Sequence, residues 1–299
     1  YMEENQMKKI YTLFHEIDEV LNDNEGEGKL IALASRPGMG KTTLSLNIAN
    51  NIAMLNDTKV LFFSLESSKD KLIDILSNKW NLEAENLSKI LIDETPAASV
   101  DYIEKKISKT PELSVVFIDY IALIKDFTDG SQDEILTKLK NICKSKNVSI
   151  IYTCNLNRRL EKRIDKRPIL SDLDKYTQKN ADAIFALYRA AYYIGNDPAA
   201  ELRALKHPSG ELIQIPLIYD NKCRSFYYDV DTSFDKAPEK RVELSVHTKL
   251  SDDVSTISVN DAFSYAMFGG YKAIAFTNAR NVQDFPEIQK CAKEFDNIK

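Results

Sequence analysis

Five residues have the type and spacing to act on a phosphorylated ligand: Lys41, Thr42, Glu66, Asp119 and Asn155. The first two stand in residues 29–50, KLIALASRPGMGKTTLSLNIAN. There an apolar run leads into the turn Arg36, Pro37, Gly38, Met39 and Gly40, then Lys41, Thr42 and Thr43, then a helical pattern. Backbone N–H groups of such a turn, at a helix N-terminus, cradle phosphate oxygens. Lys41 would neutralise the β- and γ-phosphates and the Thr42 hydroxyl would ligate Mg²⁺. The full pattern is G-x-x-x-x-G-K-[ST], and Ser35 stands where its first Gly belongs. A surface strand–turn–helix with an incidental Lys is the plain alternative. It leaves unexplained why Gly38 and Gly40 share the one turn where backbone must approach a ligand.

Hydrolysis needs carboxylates as well, one in the metal's coordination shell and one polarising water. Asp119 follows the apolar run VVFI and suits the metal shell, through water; Glu66 follows VLFFSL and suits water activation. Asn155 ends a third apolar run and could sense the γ-phosphate or metal, or simply cap its strand.

These residues need a scaffold, and the pattern supplies one. Runs at 30–34, 59–65, 90–92, 115–118 and 148–153 read as strands, alternating with helices at 41–55, 69–80, 100–108 and 132–145. Such alternation gives an α/β fold, a mostly parallel sheet with right-handed crossovers and ligands at the carboxyl ends of its strands. Ile10, Leu13, Phe14, Ile17 and Leu21 predict a helix over 7–21. Residues 158–167, RRLEKRIDKR, hold six positive and two negative residues. With Pro168 and polar residues to Asn180 they read as a long surface loop. Four more strands follow, at 183–188, 202–205, 212–217 and 226–228, the last three antiparallel. The tail, 239–299, reads as a small βαβα segment.

The net charge of −5 advertises no global field for nucleic acid, so binding there needs a local basic patch. Cys143, Cys154, Cys223 and Cys291 lack C-x-x-C spacing, which predicts reduced thiols and a cytoplasmic protein. No apolar run is long enough to span a membrane.

Residues 29–228 resemble the RecA-type ATPase domain of DnaB-like replicative DNA helicases. The resemblance is carried, in order, by ASRPGMGKTTLSLNIA, FFSLE, VVFIDYIALI, NLNRRLEKRIDKRPILSDL and ADAIFALYR. It implies a RecA-like P-loop core that binds ATP and Mg²⁺, with Lys41, Glu66, Asp119, Asn155 and Lys206 in catalytic roles. It also implies a hexameric or mixed ring acting on single-stranded DNA. Arg158, Arg159, Lys162 and Arg163 would face the polynucleotide or a neighbouring subunit; a solvated charged loop is the plain alternative. No counterpart of the family's primase-binding N-terminal domain is recognised. The sequence departs from the family at three further places. Asn155 replaces a Gln, and Asp174, Lys175 and Tyr176 replace an Arg-Glu-Ser-Gly loop. In the late K-Q-R-N-G motif Lys206 is retained, but Pro208 occupies the arginine-finger position. A finger contributes on the order of 10³–10⁵ in rate. Unless Arg203 or Arg224 substitutes, turnover in trans should be weak. That leaves an ATP-binding, replication-associated regulatory module as the alternative to a working helicase.

RVELSVHTKLSD and GGYKAIAFTNARNVQDFPEIQKCAK resemble the start of the PHP domain of PolC-type DNA polymerases. That family's ligand motifs are reduced here to Ser245, Val246 and His247, and to Thr277, Asn278 and Ala279. His247 with Asp252 or Asp253 is too few for a metal, so the tail reads as a metal-free docking module for a replication protein or a remnant, the alternative being a barrel that continues beyond this sequence. The expected organisation is a lead-in helix (1–28), an ATPase domain (29–230), a linker (231–238) and a PHP-like partial domain (239–299).

Overall fold

The computed structural model describes residues 9–23, 27–56, 58–80, 84–125, 127, 131–195 and 198–229. In the tail it describes 243–246, 259, 262–263, 274–276 and 285–294. Two compact units divide the chain, 1–229 and 230–299.

The first unit is built on a nine-stranded sheet. In chain order the strands are β1 (Leu30–Ser35), β2 (Lys59–Ser64), β3 (Ile90–Asp93), β4 (Leu113–Asp119) and β5 (Ser149–Asn155). β6 (Ala183–Arg189), β7 (Ala199–Lys206), β8 (Ile213–Asp220) and β9 (Ser225–Tyr228) complete it. The spatial order is β3-β2-β4-β5-β1-β6-β7-β8-β9. The first six are parallel and the last three join antiparallel. A parallel sheet covered on both faces needs strands apolar on both faces, which is why β1 is buried at all six positions.

Each face has its own core. On one, Ile31, Leu33, Phe62, Phe117, Ile151 and Phe185 meet Leu44, Ile48 and Ile52 of α2 (Lys41–Leu55). On the other, Leu30, Ala32, Phe63, Ile118 and Tyr152 meet Ile103 of a helix at Val100–Lys109 and Leu139 and Ile142 of a helix at Gln132–Lys146. The expected α/β architecture with its mostly parallel sheet is therefore observed.

The lead-in differs from its periodicity. Helix α1 covers only His15–Leu21. Residues 7 and 8 lie outside the described residues, and Leu13 has φ 66°. Residues 10–14 are strapped down by side chains instead of helical hydrogen bonds. Asn22 accepts from the Ile10 N–H and donates to its carbonyl, Asn56 does the same for Tyr11, and Asn51 donates to the Thr12 carbonyl. Asn side chains that satisfy backbone groups in this way compete directly with helix formation. The helix expected over 69–80 stops at Asp74 and continues as a wider turn, Ile75–Lys79.

At the sheet edge, Asp93 is buried and accepts from the Tyr102 hydroxyl (2.9 Å) and the Thr95 N–H (2.9 Å), and pairs with Lys106 (2.8 Å). Burial raises its pKa, but the donors from Lys106, Thr95 and Tyr102 outweigh this and hold it at about 2. A carboxyl whose folded pKa lies below its unfolded value stabilises the fold above the unfolded pKa. That stability is lost as pH falls from about 4 towards 2, and amounts to about 2 kcal/mol. Asp93→Asn is therefore expected to lower unfolding stability at pH 6 and to converge with the parent near pH 2. An equal gap at both pH values in urea melts would refute the assignment.

The second unit holds a parallel pair, β10 (Glu243–Val246) and β11 (Ile274–Phe276), and a helix at Phe285–Glu294. Val259, Phe263 and Cys291 form its buried core. His247, Asp252, Asp253, Thr277, Asn278 and Ala279 lie outside the described residues.

Candidate nucleotide site

β2, β4, β5 and β1 are neighbours, and their carboxyl ends share one edge of the sheet. Ser64 pairs with Asp119, and Ser35 pairs with Asn155. This places Glu66, Asp119, Asn155 and the turn after β1 side by side along one rim.

The turn itself is shaped by two glycines. Gly38 has φ 82° and Gly40 φ 102°, a left-handed region that other residues enter with strain. Space is closed as well: a Cβ at Gly40 would lie 3.1 Å from the Phe226 ring, and one at Gly38 3.3 Å from Tyr192. α2 begins at once with Lys41, so the first-turn N–H groups of Lys41, Thr42 and Thr43 face the rim without partners one turn back.

Lys41 Nζ donates to Asn155 Oδ1 (2.9 Å) and Ser35 Oγ (3.3 Å). Ser35, at the position expected to be Gly, thus carries a contact of its own. Burial lowers the Lys41 pKa, the neighbouring Cys154 sulfur and the carboxylates of Asp119 and Glu66 offset this in part, and Arg36 lowers it further. Among the described residues the ammonium has no ion-pair partner of its own, which leaves it ready for an anion.

Asp119 is 1% exposed. Its Oδ1 accepts from the Thr153 hydroxyl (2.6 Å), and its Oδ2 has no hydrogen-bond partner among the described residues. A buried carboxylate oxygen left unpaired is costly, and a divalent cation with its water shell would satisfy it. Glu66 stands exposed two residues beyond the end of β2. The residues present fit a nucleotide with Mg²⁺.

Lys206 is not brought to this rim. It pairs with Ile184, at the start of β6, which puts it on the opposite edge of the sheet. Its ammonium donates to the carbonyls of Gln178 and Ala181, and burial lowers its pKa. Pro208 is exposed in the following turn. Of the two possible substitutes for a finger, Arg203 lies 3.5 Å from Glu201 and Arg224 is exposed in the β8–β9 turn.

The basic run is not the loose loop its composition suggests. Residues 158–162 form a short helical turn, 170–172 another, and Lys175–Asn180 a helix capped by Asp174. Arg163 grips Asp172 with both terminal nitrogens (2.7 and 2.8 Å), and Arg167 grips Glu201. Arg163 therefore braces the chain internally. Arg158, Arg159 and Lys162 are exposed, and among the described residues their side chains form no ion pair.

Several participants were not singled out from the sequence. Thr153 fixes Asp119, and strand register across β4 and β5 would have found it, since Ile118 pairs with Tyr152. Glu161, hidden in the basic run, pairs with Arg36 of the turn (2.9 Å) and accepts from the Tyr193 hydroxyl (3.1 Å). Tyr192, in a short helix at Ala191–Ile194, and Phe226, in β9, lie against the two glycines from far along the chain and carry no local signal.

The fold and rim together define a RecA-type P-loop domain. The family model "DnaB-like helicase C terminal domain" matches residues 9–228, and the chain belongs to that family. A probable replicative DNA helicase of Trieres chinensis is 33% identical over 255 residues, 72% of this chain and 56% of its own length. Replicative DNA helicase DnaC of Bacillus subtilis (strain 168) is 31% identical over 265 residues, 76% of this chain and 58% of its own. The chain thus spans little more than half the length of these relatives. Among solved structures, the ATPase domain of G40P superposes with a TM-score of 0.64 at 26% identity, covering 73% of this chain and 90% of that one. A DnaB-like replicative helicase, whose interactions with primase were also described, superposes at 0.58 with 27% identity, covering 66% and 57%. Among the described residues no helix is long and apolar enough to cross a membrane.

Proposed function

We propose that the chain binds ATP with Mg²⁺ on the β1–α2 turn and hydrolyses it to move on single-stranded DNA, as a DnaB-like helicase or translocase. The observation that carries this is the buried, unpaired Asp119 Oδ2 on the same rim as Lys41. Residues 36–43 would hold the phosphates, Thr42 and Asp119 the cation, and Glu66 would orient and deprotonate water. When bound, the cation supplies charge neutralisation of the phosphates. Asn155, holding Lys41 in this structure, would yield it to a γ-phosphate and so register occupancy.

Arg158, Arg159 and Lys162 would face the polynucleotide, with affinity falling steeply as salt rises. Lys206, on the far edge, would act on a neighbouring subunit's nucleotide in a homo-oligomeric, hexameric or mixed ring. ATPase rate with and without single-stranded DNA, paired with solution mass, tests this reading. A DNA-stimulated oligomer supports it, and a silent monomer opposes it.

Pro208 favours a second reading, an ATP-binding regulatory module that cycles slowly. Pro208→Arg separates the two. It is expected to raise turnover about tenfold in an assembled ring, a fraction of the 10³–10⁵ of an evolved finger; no gain argues against a trans site in this turn.

We read the domains as 1–28, 29–230, 231–238 and 239–299, with the last a PHP-like docking segment for a replication protein and the whole a cytoplasmic protein. The parallel β10–β11 pair supports a βα-type tail.

A further inference from the structure

One carboxylate joins the nucleotide turn to the basic turn. Arg36 is the first residue after β1, and its side chain is only 12% exposed. Its Nη1 donates to the Leu156 carbonyl and its Nε to Glu161 Oε1, each at 2.9 Å. The same Oε1 accepts from the Tyr193 hydroxyl, and the Glu161 carbonyl accepts from Lys166 Nζ (3.2 Å). Lys166 in turn lies over the Tyr193 ring at 5.3 Å. Tyr193 packs edge-on against Tyr192, which abuts Gly38. The contacts close a circuit from Arg36 through Glu161, Tyr193 and Tyr192 back to Gly38.

Glu161 sits inside the turn 158–162, between the exposed cations Arg159 and Lys162. It is the one acid among them. An anion on either segment would therefore bear on it through the cations it neighbours. Phosphate on the β1–α2 turn attracts Arg36, whose charge already reaches Lys41. Phosphodiester on the 158–162 turn neutralises the cations that flank Glu161. The two sites lie on separate segments, and the Arg36–Glu161 pair bridges them directly.

We infer that Glu161 is the positioning residue that couples nucleotide binding on residues 36–43 to polynucleotide binding on residues 158–162. It acts through Arg36 and touches neither ligand. The inference rests on the nucleotide and polynucleotide readings above. Polynucleotide on the basic turn fixes Glu161, Glu161 fixes Arg36, and the P-loop apex is thereby held open for phosphate. Ordering paid once by the first ligand need not be met again by the second. By linkage the same factor acts in both directions.

The test uses the full chain, Mg²⁺, a fluorescent N-methylanthraniloyl ADP and a short oligothymidylate. In the parent, saturating oligothymidylate is expected to tighten nucleotide binding at least about fivefold, with the reciprocal effect on oligothymidylate. In Glu161→Gln that factor is expected to fall below about twofold, while nucleotide affinity without oligothymidylate stays within about threefold of the parent, since no ligand contact is lost. A purely structural role would weaken nucleotide binding with or without oligothymidylate and leave the factor unchanged. Three results overturn the inference alone: a parent that binds both ligands without coupling, a Glu161→Gln that keeps the parent's factor, or one that loses nucleotide affinity on its own. A parent that binds no nucleotide, or no oligothymidylate, overturns the corresponding underlying reading and the inference with it. Should Glu161→Gln not fold, Tyr193→Phe removes the other donor to the same oxygen. It is expected to at least halve the factor, and an unchanged factor counts against the coupling.

Discussion

Lys41→Ala is expected to remove nucleotide binding while leaving the fold intact. Among the described residues the ammonium is held by neutral acceptors only, Asn155 Oδ1 and the Ser35 hydroxyl and carbonyl. Burial lowers its pKa, so the ammonium is worse solvated here than in water. Its removal relieves that cost and forfeits hydrogen bonds of about 1 kcal/mol net each, so the unfolding midpoint should move little. Ligand binding behaves differently. A charge-assisted hydrogen bond to phosphate contributes about 1.5–3 kcal/mol, and a half-buried site adds to it. The loss is therefore on the order of 10²-fold or more in affinity. Titration of the fluorescent ADP against parent and variant, with thermal melts of both, separates the two effects. Equal affinity in the two proteins would remove the nucleotide site from this turn. A collapsed melt would show that Lys41 supports the fold and carries less information about the ligand.

The same residue illustrates what a linear sequence can reveal. Lys41 and its turn are legible because strand, turn and helix are contiguous, and the glycines mark where backbone must turn tightly. The strands are legible because burial on both faces leaves them uniformly apolar, as in residues 30–34 and 115–118. What sets the chemistry of the rim is less local. Thr153 reaches Asp119 across a strand pair separated by 34 residues, and Glu161 reaches Arg36 across 125. Periodicity contains neither contact. The basic run shows the reverse error. Its composition suggests a solvated loop, but Asp172 and Glu201 supply partners for Arg163 and Arg167. Those acids lie 9 and 34 residues further on, too far for composition to connect. The lead-in fails for a third reason. Ile10, Leu13 and Phe14 keep a helical spacing, and Asn22, Asn51 and Asn56 take over the backbone groups a helix would have used.

Glu66→Gln is expected to leave nucleotide affinity within about twofold and to reduce hydrolysis by on the order of 10²–10⁴, the range for loss of a general base. The asymmetry follows from where the two acids stand. Asp119 is buried with one oxygen fixed by Thr153 and the other open, which suits it to hold a cation. Its loss should weaken binding and rate together. Glu66 is exposed at the rim, and among the described residues its carboxylate has no hydrogen-bond or ion-pair partner, so it is free to turn towards water beside a bound nucleotide. Gln keeps its size and polarity and removes only the ability to take a proton. Single-turnover measurement is the right comparison, because a parent with Pro208 at the expected finger position is expected to turn over slowly. A variant that hydrolyses at the parent's rate would move the base elsewhere. A parent that binds nucleotide but shows no rate for Glu66→Gln to remove would make the chain an ATP-binding regulator. The intact rim of Lys41, Thr42 and Asp119 would then serve occupancy alone, and Pro208 would be the residue that separates binding from work.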